Sequence, residues 1–295
     1  DNATVYWSDP NVPLDETQHS KASDNSSDAE STTGGERYPK PILQNLSLTV
    51  KSGELCAVVG RVGSGKSTLA SAILNEAIVE SGNITLTGRV AYAAQTPWIL
   101  NASLRDNILF GSPMDQERYD TILRVCQLEH DIRMLDDGDL TEIGEKGINL
   151  SGGQKQRISI ARAAYSNADT VILDDPLSAL DPEVGKRLFD ECIYTFMKNR
   201  TRLLVTNQVQ FLTYCDTVTA LRHGKVIEQG RFEDLIKDEN GEVSRLLRES
   251  ATKGGKSNNK KKKGGETVAE KQVAKTKEHA KPEAGALVTK EERAT

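Results

Sequence analysis

The stretch ELCAVVGRVGSGKST, residues 54–68, constrains the fold more than any other part of the chain. A short apolar run ends in a glycine turn and passes directly into STLASAILNEA, whose apolar residues recur at helical spacing. Gly60, Gly65, Lys66 and Ser67 fall at the spacing G-x-x-x-x-G-K-[ST]. The chemistry asks for each of these residue types. Glycines let the backbone curl until successive N–H groups point at one phosphate. The start of the following helix adds free N–H groups and the positive end of its dipole. Lys66 is placed to reach the outer phosphates of a nucleotide, and Ser67 to offer its hydroxyl to Mg²⁺. Gly60, Arg61, Val62, Gly63, Ser64, Gly65, Lys66, Ser67 and Thr68 are therefore expected to cradle ATP. A glycine turn that carries a lysine by accident does not account for the strand–loop–helix order.

A loop of this kind needs a metal-holding acid at the end of a buried strand. VILDDP, Val171 to Pro176, supplies one. The lead TVIL reads as a core strand, and a charge at its end requires a partner because an unpaired buried carboxylate is expensive. Asp174 is expected to face the phosphate loop and hold Mg²⁺. Asp175 then falls next to the γ-phosphate, where a general base or water-orienting group is useful.

Elsewhere apolar strand-like runs alternate with helical patterns. NATVYW, ILQNLSLTV, ELCAVV, two strands in NITLTGRVAYAA, TVILDD, RLLVTN and the hairpin VTALRHGKVIEQG are the expected strands. Residues 115–135, QKQRISIARAAYSNA, PEVGKRLFDECIYTF and FEDLIKDENGEVSRLLRES are the expected helices. This order implies an α/β domain with a mostly parallel sheet. Residues 8–38, rich in Ser, Asp, Thr and Glu, have almost nothing to bury and read as a disordered acidic insertion.

The net charge of −5 conceals an asymmetry. Residues 251–295 carry twelve Lys/Arg against six Glu, so the preceding residues are strongly acidic. This basic tail reads as a flexible linker. Its KKKK run offers weak contact with an anionic membrane surface, although a solvated linker is the plainer reading. No aromatic residues interleave with the lysines, so no nucleic-acid partner is expected. Four cysteines at 56, 126, 192 and 215 lack metal-knuckle or CxxC spacing and read as reduced core thiols. No apolar run approaches the ~20 residues that span a bilayer. The chain starts within an apparent strand and stops within a charged segment, as expected of a piece of a longer protein.

LSGGQKQR, Leu150 to Arg157, adds a third motif. Together with the phosphate loop and VILDDP it closely resembles the signature of ABC transporter ATPase domains, over about residues 2–250. The resemblance implies a P-loop NTPase with a RecA-like core, an antiparallel β subdomain and a helical signature subdomain. It also implies two such domains paired head to tail, with Leu150, Ser151, Gly152, Gly153 and Gln154 completing the ATP site of the partner domain. By the same resemblance Trp7 stacks on adenine, and Gln95 senses Mg²⁺ and the attacking water and couples to the membrane domains. TEIGEKG, 141–147, is similar to the loop that touches the transmembrane helices, and SALD, 178–181, to the loop that crosses the dimer interface. QTPWILNASLRDNILFG and DDPLSALD narrow the resemblance to the first nucleotide-binding domain of ABCC-type, multidrug-resistance-associated transporters. ALVTKEER, 286–293, resembles the segment leading into their second membrane domain. The implied setting is the cytosolic face of a plasma or vacuolar membrane, as part of a multi-pass protein that exports organic anions, conjugates or drugs. A regulatory ATP-binding module of an ABCC-type channel or channel regulator is the alternative.

Two positions depart from the family pattern. Asp175 stands where fully active members carry glutamate, and Asn207 stands where they usually carry histidine. Both are candidate catalytic positions, with Gln95 and Lys66. The aspartate is one methylene shorter, and asparagine carries neither a proton nor a positive charge. The expectation is a site that holds MgATP and turns it over slowly.

Overall fold

The computed structural model describes residues 3–6, 40–144 and 149–254. Trp7, the EKG part of the 141–147 loop, the 8–38 insertion and the chain from 255 onward lie outside the described residues. The chain divides into two compact units, Asp1–Leu246 and Leu247–Thr295. The described part of the second is helical, Leu247 to Gly254.

In the first unit β1 (Ala3–Tyr6), β2 (Leu43–Leu46) and β3 (Leu55–Val59) precede α1 (Lys66–Ile73). Then come β4 (Ile78–Ser81), β5 (Val90–Ala93), β6 (Ala102–Ser103), α2 (Leu104–Leu109), α3 (Gln116–Val125), α4 (Glu129–Arg133) and β7 (Glu142–Ile143). They are followed by α5 (Gly152–Tyr165), β8 (Thr170–Asp174) and α6 (Pro182–Leu188), which continues as a π-helical stretch, Phe189–Phe196. After β9 (Thr201–Val205) come β10 (Thr217–Arg222), β11 (Lys225–Gly230), α7 (Phe232–Leu235) and α8 (Glu242–Gly254).

The main sheet has six strands in the order β11-β10-β3-β9-β8-β5, parallel from β10 to β5, with β11 closing one edge as an antiparallel hairpin. Every residue of β3 is buried, as expected for a parallel strand covered on both faces. In open parallel sheets ligands bind at the carboxyl ends of the strands. Here the adjacent strands β3, β9, β8 and β5 deliver, at those ends, the phosphate loop, Asn207, the Asp174–Asp175 pair and Gln95. A second, antiparallel sheet pairs β2-β1-β4, and a small ribbon pairs β6 with β7.

Four local expectations need correction. NITLTG forms no strand; the strand lies upstream at Ile78–Ser81, because Gly82 and Gly88, at φ 87° and 81°, turn the chain on either side of an exposed segment. ILQNLSLTV pairs only as far as Leu46, where Asn45 at φ 48° disturbs the strand. The 115–135 helix breaks at Gln127, φ 57°. The last expected helix is two, separated by a turn in which Asn240 N–H donates to Asp238 Oδ1, and the second runs past Ser250 to Gly254, into the start of the expected linker.

Arg202 on β9 is buried and donates to the carbonyls of Ile193, Tyr194, Lys198, Arg200 and Gly53 at 3.0–3.3 Å. It therefore satisfies the open carbonyls at the end of the π-helical stretch. Arg202→Ala strands these acceptors inside the protein and is expected to cost about 3 kcal/mol or more in urea unfolding. A loss under about 1 kcal/mol would mean that the carbonyls find water instead.

Candidate nucleotide site

The phosphate loop keeps its shape through close backbone packing. A Cβ on Gly60 would lie 2.3 Å from the carbonyl oxygen of Leu221, and one on Gly65 2.6 Å from Leu43 Cδ2. Gly65 also takes φ 101° as the cap of α1. The β10–β11 turn braces the loop, with Gly224 N–H donating to Ser64 O at 3.1 Å. Arg61, Val62 and Gly63 are exposed, whereas Thr68 is buried behind them. Lys66, 8% exposed, folds back and donates its Nζ protons to Gly60 O at 2.7 Å and Arg61 O at 3.0 Å. Burial lowers its pKa, and the nearby Asp175 and Asp174 carboxylates oppose that fall. Ser64 Oγ is buried with no partner among the described residues.

The two aspartates have different surroundings. Asp174, 3% exposed, ends β8 with the Ser67 and Tyr92 hydroxyls close enough to favour its charged form. Burial pushes its carboxyl above the usual range; the Ser67 hydroxyl opposes this, Asp175 adds to it, and Lys66 and Tyr92 oppose it again. Tyr92 is raised in turn to about 12, by burial first and then by Asp174. Asp175 follows at φ 45°, a left-handed conformation that costs a non-glycine residue about 1 kcal/mol or more. Its N–H donates to Val205 O at 2.8 Å, and Ser178 Oγ donates to its carbonyl at 2.9 Å. Its Oδ1 is buried with no partner among the described residues. Asn207 is exposed just beyond β9, and Gln95 is exposed just beyond β5. The exposed Ser67 hydroxyl beside a buried, raised carboxylate suits a hard cation, which would remove the desolvation cost of Asp174.

The LSGGQ segment starts α5. Ser151 and Gln154 form a capping box, Ser151 Oγ accepting from Gln154 N–H and Gln154 Oε1 from Ser151 N–H. Leu150 is buried. A side chain on Gly152 would meet nothing within 4 Å among the described residues, while one on Gly153 would lie 3.2 Å from Ala179 O. The signature thus rests against the SALD loop, with Ser151 and Gly152 facing outward. Gln154 Nε2 donates to Asp131 Oδ1, and Arg157 pairs with the same carboxylate at 2.8 Å.

Sequence reasoning missed three contributors. Tyr92 lies beside Asp174. Gln156, buried on α5, donates to Ala94 O beside Gln95 at 3.3 Å. Arg162 donates to Trp98 O and Asn107 O and lies over the Trp98 and Phe110 rings, so α5 fastens the whole 94–110 segment. For Gln156 and Arg162 the available signal was polar side chains on an otherwise apolar helix face.

Fold and site define a P-loop nucleotide-binding domain of the α/β class. Residues 43–178 match the model of the ABC transporter family. The chain is 49% identical over 202 residues, 68% of its length, to ABC transporter C family member 9 of Arabidopsis thaliana. It is 50% identical over 194 residues, 66% of its length, to ABC transporter C family member 12 of Dictyostelium discoideum. It is 47% identical over 197 residues, 67% of its length, to human ATP-binding cassette sub-family C member 4. These matches span only 13–15% of the relatives' own lengths. Residues 43–178 are thus an ABC transporter ATPase domain, and the chain is similar in sequence to members of the ABCC branch.

Proposed function

We propose that the chain is the first nucleotide-binding domain of an ABCC-type exporter. It binds ATP with Mg²⁺, pairs head to tail with a second nucleotide-binding domain, and drives export of organic anions, conjugates or drugs through the transporter's transmembrane domains. The place of work is the cytosolic face of a plasma or vacuolar membrane. The observation that carries a slow site is the Asp175 carboxylate, one methylene short and held at φ 45° by Val205 and Ser178. Asn207, beyond the neighbouring strand β9, supports the same reading.

The residues divide the work. Main-chain N–H groups of Gly60 to Thr68 and the start of α1 bind the phosphates. Lys66 exchanges the Gly60 and Arg61 carbonyls for phosphate oxygens. Ser67, Asp174 and Gln95 would hold Mg²⁺, which would offset the phosphate charge. Asp175 orients water, and Asn207 donates a hydrogen bond toward the γ-phosphate. Trp7 stacks on adenine; that assignment rests on the family resemblance and lies outside the described residues. Leu150 to Gln154 present a capped helix start to ATP on the partner domain.

The isolated chain is expected to bind ATP saturably, more tightly with Mg²⁺ than with chelator, and to release phosphate barely above background. Titration with a fluorescent ATP analogue and a phosphate-release assay test the two halves. Turnover on the order of 1 s⁻¹ or faster, the range of ordinary enzymes, would overturn the slow-site reading.

A further inference from the structure

Cys126 and Cys192 stand 66 positions apart in sequence, yet their sulfurs are 3.6 Å apart in the core, with Cys126 donating to Cys192. Both residues are wholly buried, and both thiols are free. Cys126 closes α3, and Cys192 sits in the π-helical stretch that continues α6. Their neighbours are also joined, since Gln127 Nε2 donates to Glu191 Oε2 at 3.1 Å. Arg157 of the signature helix donates to the carbonyl of Gln127. The sulfur pair thus lies where α3, the signature helix and the helix leaving the SALD loop meet. A single-turn π deformation in a helix is often found at functional positions.

We propose that Cys126 and Cys192 form a latent disulfide, closed by peroxide-class oxidants, that locks α3 to the helix leaving the SALD loop. The sulfurs need to approach by about 1.5 Å to reach bonding distance. Cys192 loses its proton and attacks one peroxide oxygen; the O–O bond breaks, and the departing hydroxide takes up a proton to become water. The Cys192 sulfenic acid is then attacked by Cys126. The S–S bond forms, and the sulfenic oxygen leaves as a second water with the Cys126 proton. In sum, two thiols and one hydrogen peroxide give one disulfide and two waters, the two sulfurs supplying the two electrons. Because neither sulfur is exposed, oxidant enters only when this junction opens, so the reaction is slow and its rate reads that opening. The other two thiols face oxygens instead: Cys56 lies against Thr219 and Ala57 O, and Cys215 against Phe211 O. The inference stands on this geometry and does not depend on nucleotide turnover.

The test treats the 295-residue chain with hydrogen peroxide, alkylates the remaining thiols under denaturing conditions and maps peptides without reduction. The expected result is loss of two alkylatable thiols, a Cys126–Cys192 linked peptide, and a melting temperature higher by about 5–10 °C that thiol reductant reverses. Cys126→Ser and Cys192→Ser should each abolish the shift, and Cys56→Ala should keep it. Peptide mapping of the unmutated chain decides the matter even if a serine variant fails to fold. Four thiols still alkylatable, a linkage through Cys56 or Cys215, sulfinic acid at either position without linkage, or a melting temperature unchanged or lowered by the link would each overturn the proposal.

Discussion

Asp175→Glu combined with Asn207→His is expected to raise ATP turnover at this site on the order of 10²-fold in the full transporter. A misplacement near 1 Å costs about that much in rate, and one methylene is of that size. The backbone at Asp175 cannot compensate by shifting. It is fixed at φ 45°, bonded on one side to Val205 O in the next strand and on the other to Ser178. The carboxylate keeps one buried oxygen with no partner among the described residues, so the site already carries a cost that a longer side chain reaching solvent or water would relieve. Asn207 sits exposed beyond β9, with room for a larger ring. Histidine there supplies a cationic donor to the γ-phosphate, which asparagine cannot. Steady-state ATPase rates of the reconstituted transporter check the result. Flat rates in the double variant, with unchanged nucleotide affinity, would show that these two positions do not limit the site.

Lys66→Ala is expected to weaken ATP binding by about 10- to 100-fold, the worth of one charge-assisted hydrogen bond in a desolvated site. Without nucleotide the ammonium is buried against two loop carbonyls and near two carboxylates, so it is already desolvated and positioned. Its transfer to phosphate oxygens therefore requires little reorganisation. The substitution removes a buried cation beside Asp174 and Asp175, so the carboxylates repel each other more strongly, and a melting curve should accompany the titration. If the variant folds and binds ATP as tightly as the unmutated chain, the phosphates lie elsewhere.

The main-sheet architecture, and the segments that gather at its carboxyl edge, were legible in the sequence because both rest on local chemistry. Gly60 to Thr68 encodes its own strand–loop–helix turn, and TVILDD encodes a buried strand with a charge at its end. Elements whose form depends on distant partners were less legible. NITLTG alternates like a strand, but two glycines with positive φ set it apart from a partner. The 115–135 pattern is helical on both sides of Gln127, and the break between them is tied to Glu191 on a distant helix.

The sequence by itself determined the motifs from which the proposed chemistry is argued: a glycine-rich loop before a helix, paired aspartates at a strand end, a signature segment, and Asp175 and Asn207 as departures from the family pattern. Only the tertiary structure decided how these pieces meet. It placed β3, β9, β8 and β5 side by side so that their ends share one edge. It set Tyr92 on Asp174, turned Asp175 into a left-handed backbone, seated Gly153 against the SALD loop and brought Cys126 to Cys192. Each of these is a contact between residues distant in sequence or a strain that surrounding packing maintains, and neither leaves a periodic or local trace in the chain.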